Sequence, residues 1–154
     1  MIEIELKPCY PEGSTEQEQL EYIKCEYEEL IEAIENENWE DQAKEALDVA
    51  QTVQGYRDIR NEKLLEFEYR RPEYSLRTLK MFWDYYDREV LIIADLYKMS
   101  LGYFCYLICK HDRGNENYRR ELLDRFLQEH EEKLQSRRKE WSECSAQAVE
   151  KKSI

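Results

Sequence analysis

The sequence contains few of the residues that interrupt helices, because only four of its 154 residues are glycine and three are proline. This scarcity excludes a loop-rich fold and favours long helices. Histidine is also rare, with two residues, and no Cys-x-x-Cys pair occurs among the five cysteines. A zinc site of the usual spacing therefore has poor support. An odd number of cysteines without that motif is typical of reduced thiols in a cytoplasmic protein.

The chain also lacks an excess of positive charge, since its formal net charge is -12. Such a chain repels phosphate backbones, which argues against a broad basic face for nucleic acid. The longest apolar run, around residues 101–109, is too short to span a bilayer. Residues 1–8 show no basic-then-apolar leader pattern. We therefore expect a cytoplasmic protein that binds neither nucleic acid nor membrane.

Hydrophobic residues make up 42% of the chain, which is enough for one folded domain with a core. We divide the sequence into an N-terminal arm, residues 1–14, an all-α domain, residues 15–142, and a frayed tail, residues 143–154. In the arm, the alternating stretch IEIEL predicts either a brief strand or an extended segment.

Two helices are predicted at the start of the domain. Thr15 and Glu18 have the spacing of a capping box, so a first helix begins there and runs to about Asn36. Asn38 is the predicted N-cap of a second helix, which continues towards Arg60 or Leu65. The connection is only a few residues long, which predicts an antiparallel hairpin. The apolar stripes that would face each other are Leu20, Ile23, Tyr27, Leu30 and Ile34, then Trp39, Ala43, Ala46, Leu47, Ala50 and Val53.

Two further helical segments follow a break at residues 70–72, where Pro72 stands. One begins near residue 73 or 75 and reaches about Lys110, with an optional break near 84–87 or at Gly102. The other covers roughly Tyr118 to Trp141. The predicted fold is thus all-α, a bundle of about four main helices whose hairpin carries the candidate site.

Four carboxylates flank the hairpin stripes at helical spacing: Glu26 and Glu29 on the first helix, Glu45 and Asp48 on the second. Glu-x-x-Glu also recurs elsewhere in the chain, so this spacing alone does not indicate a site. The hairpin, however, would bring all four groups together, where like charges repel one another and burial is costly. A hard divalent cation removes that cost, and all-oxygen ligation favours Mg²⁺ or Mn²⁺.

The segment Glu26-x-x-Glu29-x-x-Glu32-Ala-Ile followed by Glu45-Ala-Leu-Asp48-Val resembles the MazG-like, all-α nucleoside triphosphate pyrophosphohydrolases. The resemblance covers roughly residues 16–65. It implies Mg²⁺-dependent cleavage of a nucleoside triphosphate between the α and β phosphates, giving a monophosphate and pyrophosphate. It also implies that Glu26, Glu29, Glu45 and Asp48 are the metal ligands and catalytic carboxylates. A homodimer or homotetramer is the assembly that this family suggests.

Basic side chains are expected to contact the phosphates that the metal does not neutralise. We take Lys24, Arg60 and Lys63 as the substrate-binding candidates, with Arg57, Arg70 and Arg71 as further cations near the second motif. Aromatic residues that could stack on a nucleobase are Trp39, Tyr56, Trp83, Tyr85 and Tyr86, although most aromatic side chains in such a chain belong to its core.

Two other protein classes were compared with this interpretation. A ferritin-like di-iron protein needs Glu-x-x-His pairs, but Ile108 and Leu127 stand three residues before His111 and His130. A non-catalytic helical adaptor, or an inactive relative of the family, stays open as the alternative. Such a protein has no reason to place its acidic residues within reach of one cation.

Overall fold

A computed structural model of the chain describes residues 2–70 and 93–152, with side chains through residue 143. Within those ranges it contains a two-stranded sheet and four helices, which confirms the all-α class. None of these helices has the length and apolar character needed to cross a membrane. The elements are β1 (Ile2–Ile4), α1 (Glu16–Glu35), α2 (Trp39–Ile59), β2 (Phe67–Tyr69), α3 (Ile93–His111) and α4 (Glu116–Lys152).

The predicted hairpin of α1 and α2 is confirmed, together with both of its N-caps. Thr15 Oγ1 accepts the backbone N–H of Glu18 at 3.1 Å, and Glu18 Oε1 accepts the N–H of Thr15 at 3.3 Å. Asn38 Oδ1 accepts the N–H groups of Glu40 and Asp41 at 3.1 and 3.2 Å. These bonds satisfy donors that the first turn of a helix leaves open. Glu37 adopts a φ of 58° in the short connection that reverses the chain.

Helix α2 is the central helix of the fold, because it packs against α1 on one side and α3 on the other. Small residues at Ala43, Ala46 and Ala50 are fully buried and allow the neighbouring helices to approach closely. At Gly55 an added Cβ would lie 2.8 Å from Gln19 Nε2, so a larger residue at this position would clash with Gln19. The helix ends at Ile59, close to the nearer of the two predicted ends.

The N-terminal arm forms a strand that is part of the core. Strand β1 pairs antiparallel with β2, with Ile2 opposite Tyr69 and Ile4 opposite Phe67. These four side chains are buried, whereas the glutamates between them face outward. Buried Gln54 of α2 fixes both segments, because its Nε2 donates to the carbonyls of residues 6 and 65 and its Oε1 accepts the N–H of residue 65. Sequence reasoning did not predict β2.

The last two helices differ from expectation in their bounds. Helix α3 passes through Gly102 without a break. Helix α4 reaches Lys152, so residues 143–152, which we expected to fray, are helical. That stretch contains no glycine or proline, and several of its residues favour helix. The start of the third predicted helix, the break at Pro72, and the candidates Arg71, Trp83, Tyr85 and Tyr86 lie outside the described residues.

Helix α4 runs alongside α2 in register. Three ion pairs connect them, and each pair joins residues 85 positions apart in the sequence: Glu40 with Arg125, Lys44 with Glu129, and Asp48 with Lys133. Residue number rises by four on both helices from one pair to the next, which is about one turn. The two helices are therefore parallel, and this ladder of three ion pairs shows the register of α4 against α2.

Candidate metal centre

The hairpin brings three of the four predicted carboxylates into one cluster. One carboxylate oxygen from each of Glu26, Glu29 and Glu45 lies within 4.8 Å of the other two. Glu26 is buried, Glu45 is half-buried and Glu29 is exposed. The cluster is therefore accessible to solvent at Glu29 and enclosed at Glu26. Three oxygen ligands at this spacing suit a hard divalent cation.

Several oxygens of these acids are buried without a hydrogen-bond partner. Among the described residues these include Glu26 Oε2, Glu45 Oε2 and Asp48 Oδ1. A buried acceptor without a partner costs free energy, and the cost rises for a charged group. A hard divalent cation would supply a common partner for these oxygens. The donor set therefore fits Mg²⁺ or Mn²⁺, and Glu26, Glu29 and Glu45 are the residues that would hold it, with Asp48 beside them.

Burial and mutual repulsion change the acidity of the cluster. The pKa of Glu26 is raised from 4.5 to about 8, mainly by burial and then by the charges of Asp48 and Glu29. The same causes raise the pKa of Glu45 to about 7, against an opposing effect of Lys133. Desolvation disfavours a charged carboxylate, and a second negative charge nearby adds to that effect. In the absence of metal, the cluster therefore retains protons near neutral pH.

Asp48 lies next to the cluster but has its own cationic partner. Its side chain is almost completely buried, and Lys133 Nζ donates to Oδ2 at 2.5 Å. His130 Nδ1 lies 3.5 Å from Oδ1, which is left without a hydrogen bond. Helix α4 thus covers Asp48 with two basic side chains.

The hydrogen bonds around His130 fix its orientation. Gln51 Nε2 donates to the carbonyl of Lys7 at 2.6 Å, so Gln51 Oε1 is the atom that faces His130 Nε2, at 3.0 Å. That oxygen can only accept, so Nε2 carries the proton and, in neutral His130, the lone pair of Nδ1 points towards Asp48. Burial lowers the pKa of His130 despite the nearby carboxylate. The uncharged imidazole therefore leaves Asp48 Oδ1 without a donor.

The predicted phosphate-binding residues do not all lie near the carboxylates. Arg60 follows the end of α2, twelve residues beyond Asp48, which is a rise of about 18 Å along the helix. It donates to Glu62 at 2.6 Å and to the hydroxyl of Tyr56 at 3.0 Å. Lys63 lies in the connection beyond it. Lys24 is half-buried on α1, two residues before Glu26. Residues at this spacing lie on different faces of a helix, so the two side chains point in different directions.

The aromatic candidates in the described ranges take part in packing. The Trp39 ring stacks on the His111 ring with centroids 4.1 Å apart, and it also packs against Phe126. Tyr56 is 3% exposed and belongs to the core. Neither ring is presented to the carboxylate cluster as an open stacking surface.

Sequence reasoning missed the two basic residues of α4 that face Asp48, His130 and Lys133, although the sequence contained a signal for His130. The apolar stripe of this helix runs through Phe126 and Leu134, and His130 stands midway between them at a buried position. A polar residue at a stripe position has to find a buried partner. The pattern could have indicated that His130 faces a polar group, but it could not indicate which one.

No family model matches the sequence. No curated protein matches it, and no solved structure matches it either. Evidence for its function therefore lies in the residues of this chain and in the resemblance of its two acidic motifs.

Proposed function

We propose that the protein is a Mg²⁺-dependent nucleoside triphosphate pyrophosphohydrolase of the MazG-like, all-α type. The observation that carries this proposal is the convergence of Glu26, Glu29 and Glu45 oxygens within 4.8 Å at the seam of an antiparallel helical hairpin. The unpartnered buried oxygens of the same acids support it. An acidic surface that served only for solubility would leave its carboxylates in water.

In this proposal the carboxylates have two tasks. Glu26, Glu29, Glu45 and Asp48 would hold Mg²⁺, which when bound would supply positive charge for the triphosphate and offset the acidic character of the chain. One of the carboxylates accepts a proton from the attacking water. The water oxygen forms a bond to one of the two phosphorus atoms, in line with the bond from that phosphorus to the bridging oxygen between the α and β phosphates. That second bond breaks, and the bridging oxygen leaves with the other phosphate group. The products are a nucleoside monophosphate and pyrophosphate.

The deciding experiment measures pyrophosphate release from a panel of ribo- and deoxyribonucleoside triphosphates, with and without Mg²⁺. Wild type is compared with Glu45→Gln, which removes one ligand charge at nearly constant volume. Glu28→Gln is the matched control, because Glu28 is exposed on α1 and lies outside the cluster. We expect release that requires Mg²⁺, is unchanged in Glu28→Gln, and falls in Glu45→Gln by on the order of 100-fold or more.

Thermal unfolding of the three proteins provides the control for folding. Loss of activity in Glu45→Gln with an equal or higher Tm would assign the effect to the site. If no triphosphate releases pyrophosphate, while wild type is folded and Mg²⁺ is present, the proposal fails. The non-catalytic helical adaptor would then be the better interpretation.

A further inference from the structure

The ion pair between Lys133 and Asp48 places a cation beside the proposed metal centre. Asp48 is 2% exposed, whereas the Lys133 side chain is 41% exposed. The lysine therefore reaches a buried carboxylate from the solvent side of the site. Its four-carbon stem is flexible, so the ammonium can move several ångströms while α4 stays in place.

A divalent cation and this ammonium compete for the same carboxylate. Lys133 occupies Asp48 Oδ2, and Oδ1 is enclosed beside His130. Two cations within about 4 Å of each other repel strongly in a partly buried site. Ligation of a metal by Asp48 therefore weakens the contact with Lys133, and the ammonium becomes available to another anion at the entrance.

We propose that Lys133 is a phosphate ligand of the active site, which Asp48 holds in the metal-free protein and which a divalent cation releases towards the polyphosphate chain. This inference rests on the proposed metal centre. The positions of two other cations support it. Arg60 lies at the far end of α2, where it bonds to Tyr56 and Glu62, so it is not the cation nearest to the carboxylates. Arg137 stands one helical turn beyond Lys133 on α4, and its positive charge acts to lower the pKa of Glu26, so it lies near the same site.

The test uses Lys133→Met, which keeps the length of the stem and removes the charge. Lys44→Met is the matched control, because Lys44 also joins α2 to α4, through an exposed pair with Glu129 at 3.8 Å. Two affinities are measured by calorimetry on the intact chain: that of Mn²⁺ for the metal-free protein, and that of inorganic pyrophosphate at saturating Mn²⁺. We expect Lys133→Met to bind Mn²⁺ about tenfold more tightly and pyrophosphate about tenfold more weakly. Lys44→Met should resemble wild type in both.

The expected changes in Mn²⁺ and pyrophosphate affinity have opposite signs, which separates phosphate binding by Lys133 from a structural role. A lysine that only positioned α4 would weaken both affinities on removal. Unchanged or weaker Mn²⁺ binding in Lys133→Met would overturn the inference while leaving the proposed function intact, and so would unchanged pyrophosphate binding. If neither wild type nor Lys133→Met binds Mn²⁺, the metal centre itself is wrong and both proposals fail.

Discussion

At the scale of single residues, the close approach of the hairpin carboxylates has a cost in stability. Glu26 is buried beside Asp48 and Glu29, and its pKa is raised to about 8. In the folded protein this group therefore holds its proton far above pH 4.5, where it ionises in the unfolded chain. Protonation of Glu26 and Glu45 is the state that the fold favours when no metal is bound.

The metal-free protein should lose stability as the pH rises from 6.5 to 8.5. Because the folded pKa values of Glu26 and Glu45 exceed the unfolded value, their protonation stabilises the fold fully below pH 4.5. That contribution is lost as the pH rises through about 7 to 8. The lowered pKa of His130 affects stability below about pH 6.5, outside this interval.

The measurement is the free energy of unfolding by urea, in EDTA, for wild type and Glu45→Gln. A smaller decline is expected in the variant, and a flat or rising wild-type profile would contradict this account.

At the scale of secondary-structure elements, α2 organises the fold with buried amides as well as apolar side chains. Gln54 is 1% exposed and satisfies three backbone groups, in the arm and in the connection to β2. Gln51 contributes a further bond to the arm at residue 7. The two-stranded sheet is too short to be stable alone, so these bonds from α2 account for much of its order.

We expect Gln54→Leu to reduce the free energy of unfolding by about 2–4 kcal/mol. The substitution keeps the volume but leaves buried backbone groups of residues 6 and 65 without partners, and each such group costs roughly 1–3 kcal/mol. Chemical denaturation measures the change. Gln17→Leu is the control, because Gln17 is exposed and its amide donates to the exposed side chain of Glu21. A loss below 1 kcal/mol in Gln54→Leu would show that water replaces the amide.

The sequence predicted elements whose signals are local. The caps at Thr15 and Asn38 depend on atoms two or three residues away, so the hairpin and its acidic motifs could be located from the sequence. Strand β2 could not, because three residues carry too little pattern and the strand exists only through its pairing with β1. Lys133 could not be assigned to Asp48 either, since 85 residues separate them and only the register of α4 brings them together.

At the scale of the whole molecule, the ladder between α2 and α4 changes in character along its length. The pair of Lys44 and Glu129 is about half-exposed on both sides, at 3.8 Å. One turn further, Asp48 is buried and Lys133 approaches it closely. Exposed pairs contribute little to stability, whereas a pair with one buried member is screened much less by water and salt.

Double-mutant cycles should reveal this gradient. For Lys44→Ala and Glu129→Ala we expect a coupling energy of about 0.5 kcal/mol. For Asp48→Asn and Lys133→Met in metal-free protein we expect about 2 kcal/mol, since removal of Lys133 leaves the buried charge of Asp48 without its counter-charge. Urea unfolding of the single and double variants yields both values. Equal couplings at the two positions would contradict the gradient.

The pairing of β1 with β2 has a consequence for the order in which the chain folds during synthesis. Ile2 and its partner Tyr69 are 67 positions apart, so the first strand leaves the ribosome long before the second exists. The α1–α2 hairpin depends on nearby contacts and can form earlier. Until residues 67–69 have emerged, Ile2 and Ile4 lack the strand that pairs with them. A nascent chain halted before that point would therefore expose an apolar, unpaired strand at residues 2–4, and such an edge favours association with other chains.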